Sequence, residues 1–243
     1  MLRRRLPVIL ALGAALVAIT ACSTSGTPSA AAPTTAAMPA PDKLLGTIKS
    51  AATSASAVHI KGSFTDSGSA LALDVQLNKD GSSSGTIGQS GTNIPVIVAN
   101  KVYYVQFTKD LMSSNGISPT SQAGQLLLNK WVPSTAKMLA GSGMVDGLKQ
   151  AVDFNSLVPN LFGQLSGDTP KESGTATVDG IPVHVYTFSD GSKADIGSAS
   201  PHYLIRLSEP PSDGKGQLDF TGWNQPVKIA APAAGDIYSG PGA

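Results

Sequence analysis

The sequence predicts an α+β protein built on one strongly curved antiparallel sheet, with helices on one side. Three observations carry that prediction. One amphipathic helix opens the body, about five segments of alternating apolar and polar residues follow with turn signals between them, and a helical stretch then separates these from about four further strands.

The chain starts with Arg3, Arg4 and Arg5, followed by an apolar run from Leu6 to Cys22. That run is about 14 residues long, too short to span a bilayer as a mature helix and suited to a signal-peptide core. Residues 1–21 are therefore expected to be a signal peptide and the protein to be exported. The run closes on Ile19-Thr20-Ala21-Cys22, which resembles the lipobox of bacterial lipoproteins, whose cysteine receives a diacylglyceryl group before cleavage in front of it. Cys22 is the only cysteine of the 243 residues, so it has no disulfide partner within the chain. Lipid attachment at Cys22 explains it better, and the acyl chains, at roughly 0.8 kcal/mol per buried methylene, would anchor the protein at the outer face of the cell membrane.

Loss of the signal leaves 14 basic against 16 acidic residues, which gives nucleic acid nothing to bind. Ser23 to Ala40 hold only Ser, Thr, Gly, Ala, Pro and one Met. Such a stretch cannot repay the entropy of ordering, so residues 22–41 are expected to form a disordered tether reaching about 55 Å at most. Residues 42–232 then read as a single domain.

Pro41 suits a first helical position, and Leu44, Leu45, Ile48, Ala51, Ala52 and Ala55 recur at helical spacing after it. From Val58 the period becomes two, with Val58, Ile60 and Phe64 on one face and His59, Lys61, Ser63 and Thr65 on the other. Leu71, Leu73, Val75 and Leu77 repeat the alternation. Asp80-Gly81 marks a hairpin, and a Ser/Gly-rich strand through Thr86 and Ile87 leads to the most apolar hairpin, Ile94 to Phe107 around Asn100-Lys101. A two-residue loop there sets Val98 opposite Tyr103, Val96 opposite Val105 and Ile94 opposite Phe107, all on one face. Ile97, Ala99, Val102 and Tyr104 make the other face apolar as well.

Beyond Thr108 the pattern turns helical in pieces: Gln125 to Leu128, Ser134 to Ala140, Met144 to Val152 and Ser156 to Leu165. Pro159 is expected in the first turn of the last, whose Leu157, Leu161 and Leu165 line up beside Val158 and Phe162. Strands resume over Thr175 to Phe188, turning at Asp179-Gly180, and over Tyr203 to Leu207 and Leu218 to Phe220. After Pro226 the composition fades into Pro, Ala and Gly, and residues 233–243 are expected to be a flexible tail.

Taken together, these features resemble the LppX/LprG family of actinobacterial lipoproteins, whose fold is related to the lipoprotein carrier LolA. The resemblance rests on the Cys22 lipobox, the leading helix followed by Ala57-Val58-His59-Ile60, and the Val98-Ala99-Asn100-Lys101-Val102-Tyr103-Tyr104 hairpin. Trp131, Val178-Asp179-Gly180-Ile181-Pro182-Val183 and Trp223-Asn224-Gln225-Pro226-Val227-Lys228-Ile229 add to it. It implies a half-barrel sheet with helices packed on its concave side, enclosing an apolar cavity for the acyl chains of an envelope lipid or lipoglycan. The candidate lining is Val96, Val98, Tyr103, Val105, Leu157, Leu161 and Phe162. The competing expectation is that these side chains pack solidly together and that the body is a tethered interaction or sensor domain. Ser189 to Ser200, rich in Gly, Ser and Asp, departs from the helical character of the lipid carriers.

Catalytic patterns are sparse. His59, His184 and His202 fall at alternating positions of predicted strands without a metal-type partner nearby in sequence. Ser134-Thr135-Ala136-Lys137 matches the Ser-x-x-Lys of penicillin-binding proteins, but Ser-Asp-Asn and Lys-Thr-Gly are missing and Ser134 reads as a helix N-cap. The reading is thus a lipid-anchored, non-enzymatic lipid carrier without cofactor or metal. Its expected partners are an acylated lipid, the membrane and a membrane exporter, and a monomer is expected.

Overall fold

The structure is a computed structural model that describes residues 37–66, 69–89, 91–139, 143–165, 169–210 and 216–243. They belong to one unit, Thr34–Ala243. The signal peptide, Cys22 and the tether as far as residue 36 lie outside the described residues.

Helix α1 (Pro41–Ser54) starts at the proline and buries Leu44, Ile48 and Ala52 at four-residue spacing. Strands β1 (Ala57–Asp66), β2 (Ser69–Asn78), β3 (Ser83–Gln89), β4 (Thr92–Ala99) and β5 (Val102–Gln106) follow as successive hairpins. Asn100 and Lys101 sit at φ 53° and 65°, the left-handed pair that a two-residue type I′ turn requires, and this fixes Val98 opposite Tyr103 and Val96 opposite Val105. Short helices α2 (Lys109–Ser114) and α3 (Gln122–Leu127), edge strand β6 (Trp131–Pro133) and helices α4 (Met144–Val152) and α5 (Phe154–Gln164) make up the insertion. The chain returns through β7 (Lys171–Val178), β8 (Ile181–Thr187), β9 (Lys193–Gly197), β10 (Leu204–Ser208) and β11 (Gln217–Thr221).

The order across the curved, unclosed sheet is β6-β5-β4-β3-β2-β1-β11-β10-β9-β8-β7, and each neighbouring pair is antiparallel. The first half of the chain is laid outward from β1 and the second half returns inward to β11, so the first and last strands meet at the centre. Gly62 and Gly85 mark the bending: a Cβ on either would meet the backbone oxygen of Gln217 at 1.9 Å or of Asp74 at 2.0 Å. The helices pack on the concave side, where one apolar cluster joins α1, α2, α4 and α5 to the sheet. A small second cluster, Val178, Val183 and Ile205, lies apart from it.

Several local expectations need correction. Ser134 to Ala140 is not a helix: residues 134–139 are turns, and Ser134 extends the sheet by donating its N–H to the Tyr103 carbonyl at 2.7 Å and accepting at Oγ from the Tyr103 N–H at 3.3 Å. The Ser-x-x-Lys pattern therefore has no helix to set Lys137 beside Ser134. Helix α5 begins two residues before the expected Ser156, because Asp153 caps it by accepting from the Asn155 N–H at 3.2 Å and from the Ser156 hydroxyl at 2.7 Å. Pro159 consequently lies inside the helix rather than in its first turn. Ser189 to Ser200 contains strand β9, whose Ala194 and Ile196 are buried.

The C-terminal segment makes specific contacts with the body. Val227 exchanges hydrogen bonds with the buried Asn78 side chain, the Asn78 amide donating to the Val227 carbonyl at 2.7 Å and the Val227 N–H to Asn78 Oδ1 at 3.3 Å. Lys130 donates to the Gly235 carbonyl at 2.7 Å, Ile237 bridges Trp131, and Tyr238 is buried in the main cluster. These bonds offset the entropy that composition alone suggests would keep the segment loose.

Candidate lipid-binding interior

The sheet registers sort the concave face into rows. One runs Phe220–Ile60–Val75–Gly85–Val96–Val105–Val132 across seven strands. The next runs Val58–Leu77–Ser83–Val98–Tyr103. Both rows are apolar apart from Ser83 and the Tyr103 hydroxyl. Helix α2 lies against β4, α4 against β3, and α5 against both α1 and α4.

All seven candidate lining residues meet here. Val96, Val98, Val105, Leu157, Leu161 and Phe162 are buried members of the main cluster and Tyr103 packs against it. The Phe162 ring lies 6.5 Å from that of Phe220, tilted by 54°. Leu157 and Leu161, each 9% exposed, are the most accessible members of the cluster, whereas Val105 and Leu77 are at 0%.

Two polar groups interrupt this greasy surface. Ser83 is buried and its hydroxyl has no hydrogen-bond partner among the described residues, a state that ordinarily costs about 1–3 kcal/mol. Along the same row, burial pushes the Tyr103 phenol above its ordinary pKa, and the nearby Asp153 carboxylate adds to the shift. The sequence could not single out Ser83, because a serine in a Ser/Gly-rich strand reads as turn-proximal polarity until register shows which face it takes.

The opposite face carries charge. Asp74 accepts from His59 Nε2 at 2.7 Å and from Lys61 at 2.8 Å, and the Lys61 bond first, the His59 bond second, hold its carboxyl below the usual range. His184 pairs with Glu172 at 2.7 Å. His202 departs from the strand expectation: it precedes β10, lies at φ 62° and is buried, with Nδ1 3.1 Å from the Gly197 carbonyl. Among the described residues no three His, Cys, Asp or Glu side chains gather as metal ligands would, and no helix is long and apolar enough to cross a membrane.

An open antiparallel half-barrel with helices seated in its concavity is the fold of the LppX/LprG-type lipoproteins. It matches the solved structure of LprF from Mycobacterium bovis with a TM-score of 0.50 at 14% identity, over 82% of this chain and 100% of that one. The lipoprotein LppX of Mycobacterium tuberculosis is matched at a TM-score of 0.44 and 16% identity, over 76% of this chain and 96% of that one. At such identities the likeness is one of fold. No family model and no curated protein matches the sequence.

Proposed function

We propose that the protein is a non-enzymatic lipoprotein, anchored through Cys22 to the outer face of the cell membrane, whose interior receives the acyl chains of an envelope lipid or lipoglycan for transport. The observation that carries this reading is the concave face itself: mainly apolar rows crossing up to seven neighbouring strands and covered by helices. Burial of methylene groups supplies the affinity, at about 0.8 kcal/mol each, so the interior selects volume and chain length before headgroup. The Ser83 hydroxyl gives an ester or carboxyl oxygen of the guest a donor it would otherwise lack. Delivery to or from a membrane exporter follows from an anchored carrier with a tether.

The test is titration of the delipidated protein with a fluorescent fatty acid. Saturable binding that is lost in Leu161→Trp, a variant that fills the space beside α5, is the expected result. Absence of saturable binding by the parent protein refutes the proposal.

A further inference from the structure

We propose that the groove between α1 and the β9–β10 connection is a second binding site, for a neutral polyhydroxylated ligand of saccharide type. It is an open groove with a volume of about 770 Å³. One wall is the flank of α1 at Gly46, Thr47, Ser50, Ala51 and Ser54, beside the helix face that enters the core. The other wall is Ser200 to Tyr203, with Asn224 between the two.

His202 ties this groove to a ligand rather than to a mere dent in the surface. The residue is 5% exposed and lines the groove. The Gly197 carbonyl can only accept, so the contact at 3.1 Å places the hydrogen on Nδ1. In the neutral ring Nε2 is then an acceptor, and it has no partner among the described residues. Beside it, the Asn224 amide donates to the Tyr203 hydroxyl oxygen, which leaves the phenolic proton free to donate outward. The Tyr203 ring is held flat against Trp223, with centroids 4.7 Å apart and planes 8° apart, and Trp223 is itself fixed by its Nε1–H bond to the Leu204 carbonyl at 3.0 Å.

The chemistry of the lining selects the ligand class. Among the described lining residues Lys43 is the only charged side chain, so a metal cation finds no carboxylate there and a polyanion finds a single counter-charge. An acyl chain would strip water from the hydroxyls of Thr47, Ser50, Ser54 and Ser200 without replacing it. A sugar offers paired donors and acceptors to those hydroxyls, to Nε2 of His202 and to Tyr203, and lays its C–H face on Ala51, Pro201 or the Tyr203 ring. The site stands independently of the acyl-binding interior.

The experiment follows the amide resonances of Tyr203 and Asn224 in the mature chain during titration with maltose, cellobiose and, separately, dodecyl maltoside micelles. A saturable shift with either free disaccharide identifies a soluble glycan as the ligand class, and one confined to the micelles identifies a glycan carried as a lipid headgroup. Two variants tie the shift to the groove. His202→Asn keeps a side-chain donor for Gly197 and tolerates the left-handed backbone, and should weaken binding about tenfold, the worth of one hydrogen bond. A Cβ at Gly46 meets nothing within 4 Å, so Gly46→Leu should raise the melting temperature through helix propensity while abolishing the shift. Fatty-acid binding should be unchanged in both. No saturable shift with any of the three probes, or undiminished binding in Gly46→Leu, overturns the proposal.

Discussion

Replacing Leu161 by Ala in the lipid-free protein separates a hollow interior from a solid one, provided it is compared with the same change at Leu44. Both leucines belong to helices, so the propensity change largely cancels. Leu44 is 1% exposed on the core face of α1, and its truncation should cost about 3–5 kcal/mol, the sum of lost transfer energy and a new cavity. Leu161, 9% exposed, is on the proposed reading one wall of the space that receives the guest, so its truncation would enlarge an existing hollow. Its truncation should then lose fewer dispersion contacts and open no new void, so about 1–2 kcal/mol is expected. Urea unfolding of the delipidated variants measures both, with unchanged m-values confirming that the same surface is exposed. Equal costs at the two sites would show that α5 packs as tightly as α1 and would refute the reasoning.

Three other predictions concern the anchor, the C-terminal segment and the outer face. Cys22→Ala should move the protein from the membrane fraction to the medium, as fractionation and immunoblotting would show. Asn78→Ala removes both bonds to Val227 and should cost about 1–3 kcal/mol, with faster amide exchange at Val227 and onward to Tyr238 if the C-terminal segment is held as described. Asp74 has a folded-state pKa below its ordinary 3.8, so its ionised form favours the folded protein above that value and the benefit disappears as pH falls through the depressed one. Asp74→Asn should therefore lower the urea midpoint at neutral pH and leave it unchanged in strong acid, by less than about 1 kcal/mol because the carboxylate is half-exposed.

Much of the sheet was legible because alternation and turn chemistry agree there. Asn100-Lys101 accepts two successive left-handed residues, which fixes the register of Val96, Val98, Tyr103 and Val105 without tertiary information. The α4 boundaries, Met144 to Val152, also follow from spacing alone. Where the reading failed, long-range contacts decide. Val227 to Tyr238 is composed like a linker and contacts Asn78 and Trp131, which lie far away in sequence. Pro159 sits mid-helix because Asp153 supplies a better N-terminus than the residues nearer the proline. The candidate lining residues were recognisable as apolar, and their gathering into one cluster needed the fold. Ser83 and His202 were invisible as special because each owes its character to the face or loop it occupies.

The central claim is that the interior of this half-barrel carries acyl chains, and native mass spectrometry of the mature protein purified from a lipid-rich bacterial host tests it most directly. The account predicts a mass above that of the acylated polypeptide by one discrete lipid, lost on organic extraction and absent from Leu161→Trp. A single species at the polypeptide mass, before and after extraction, would contradict it.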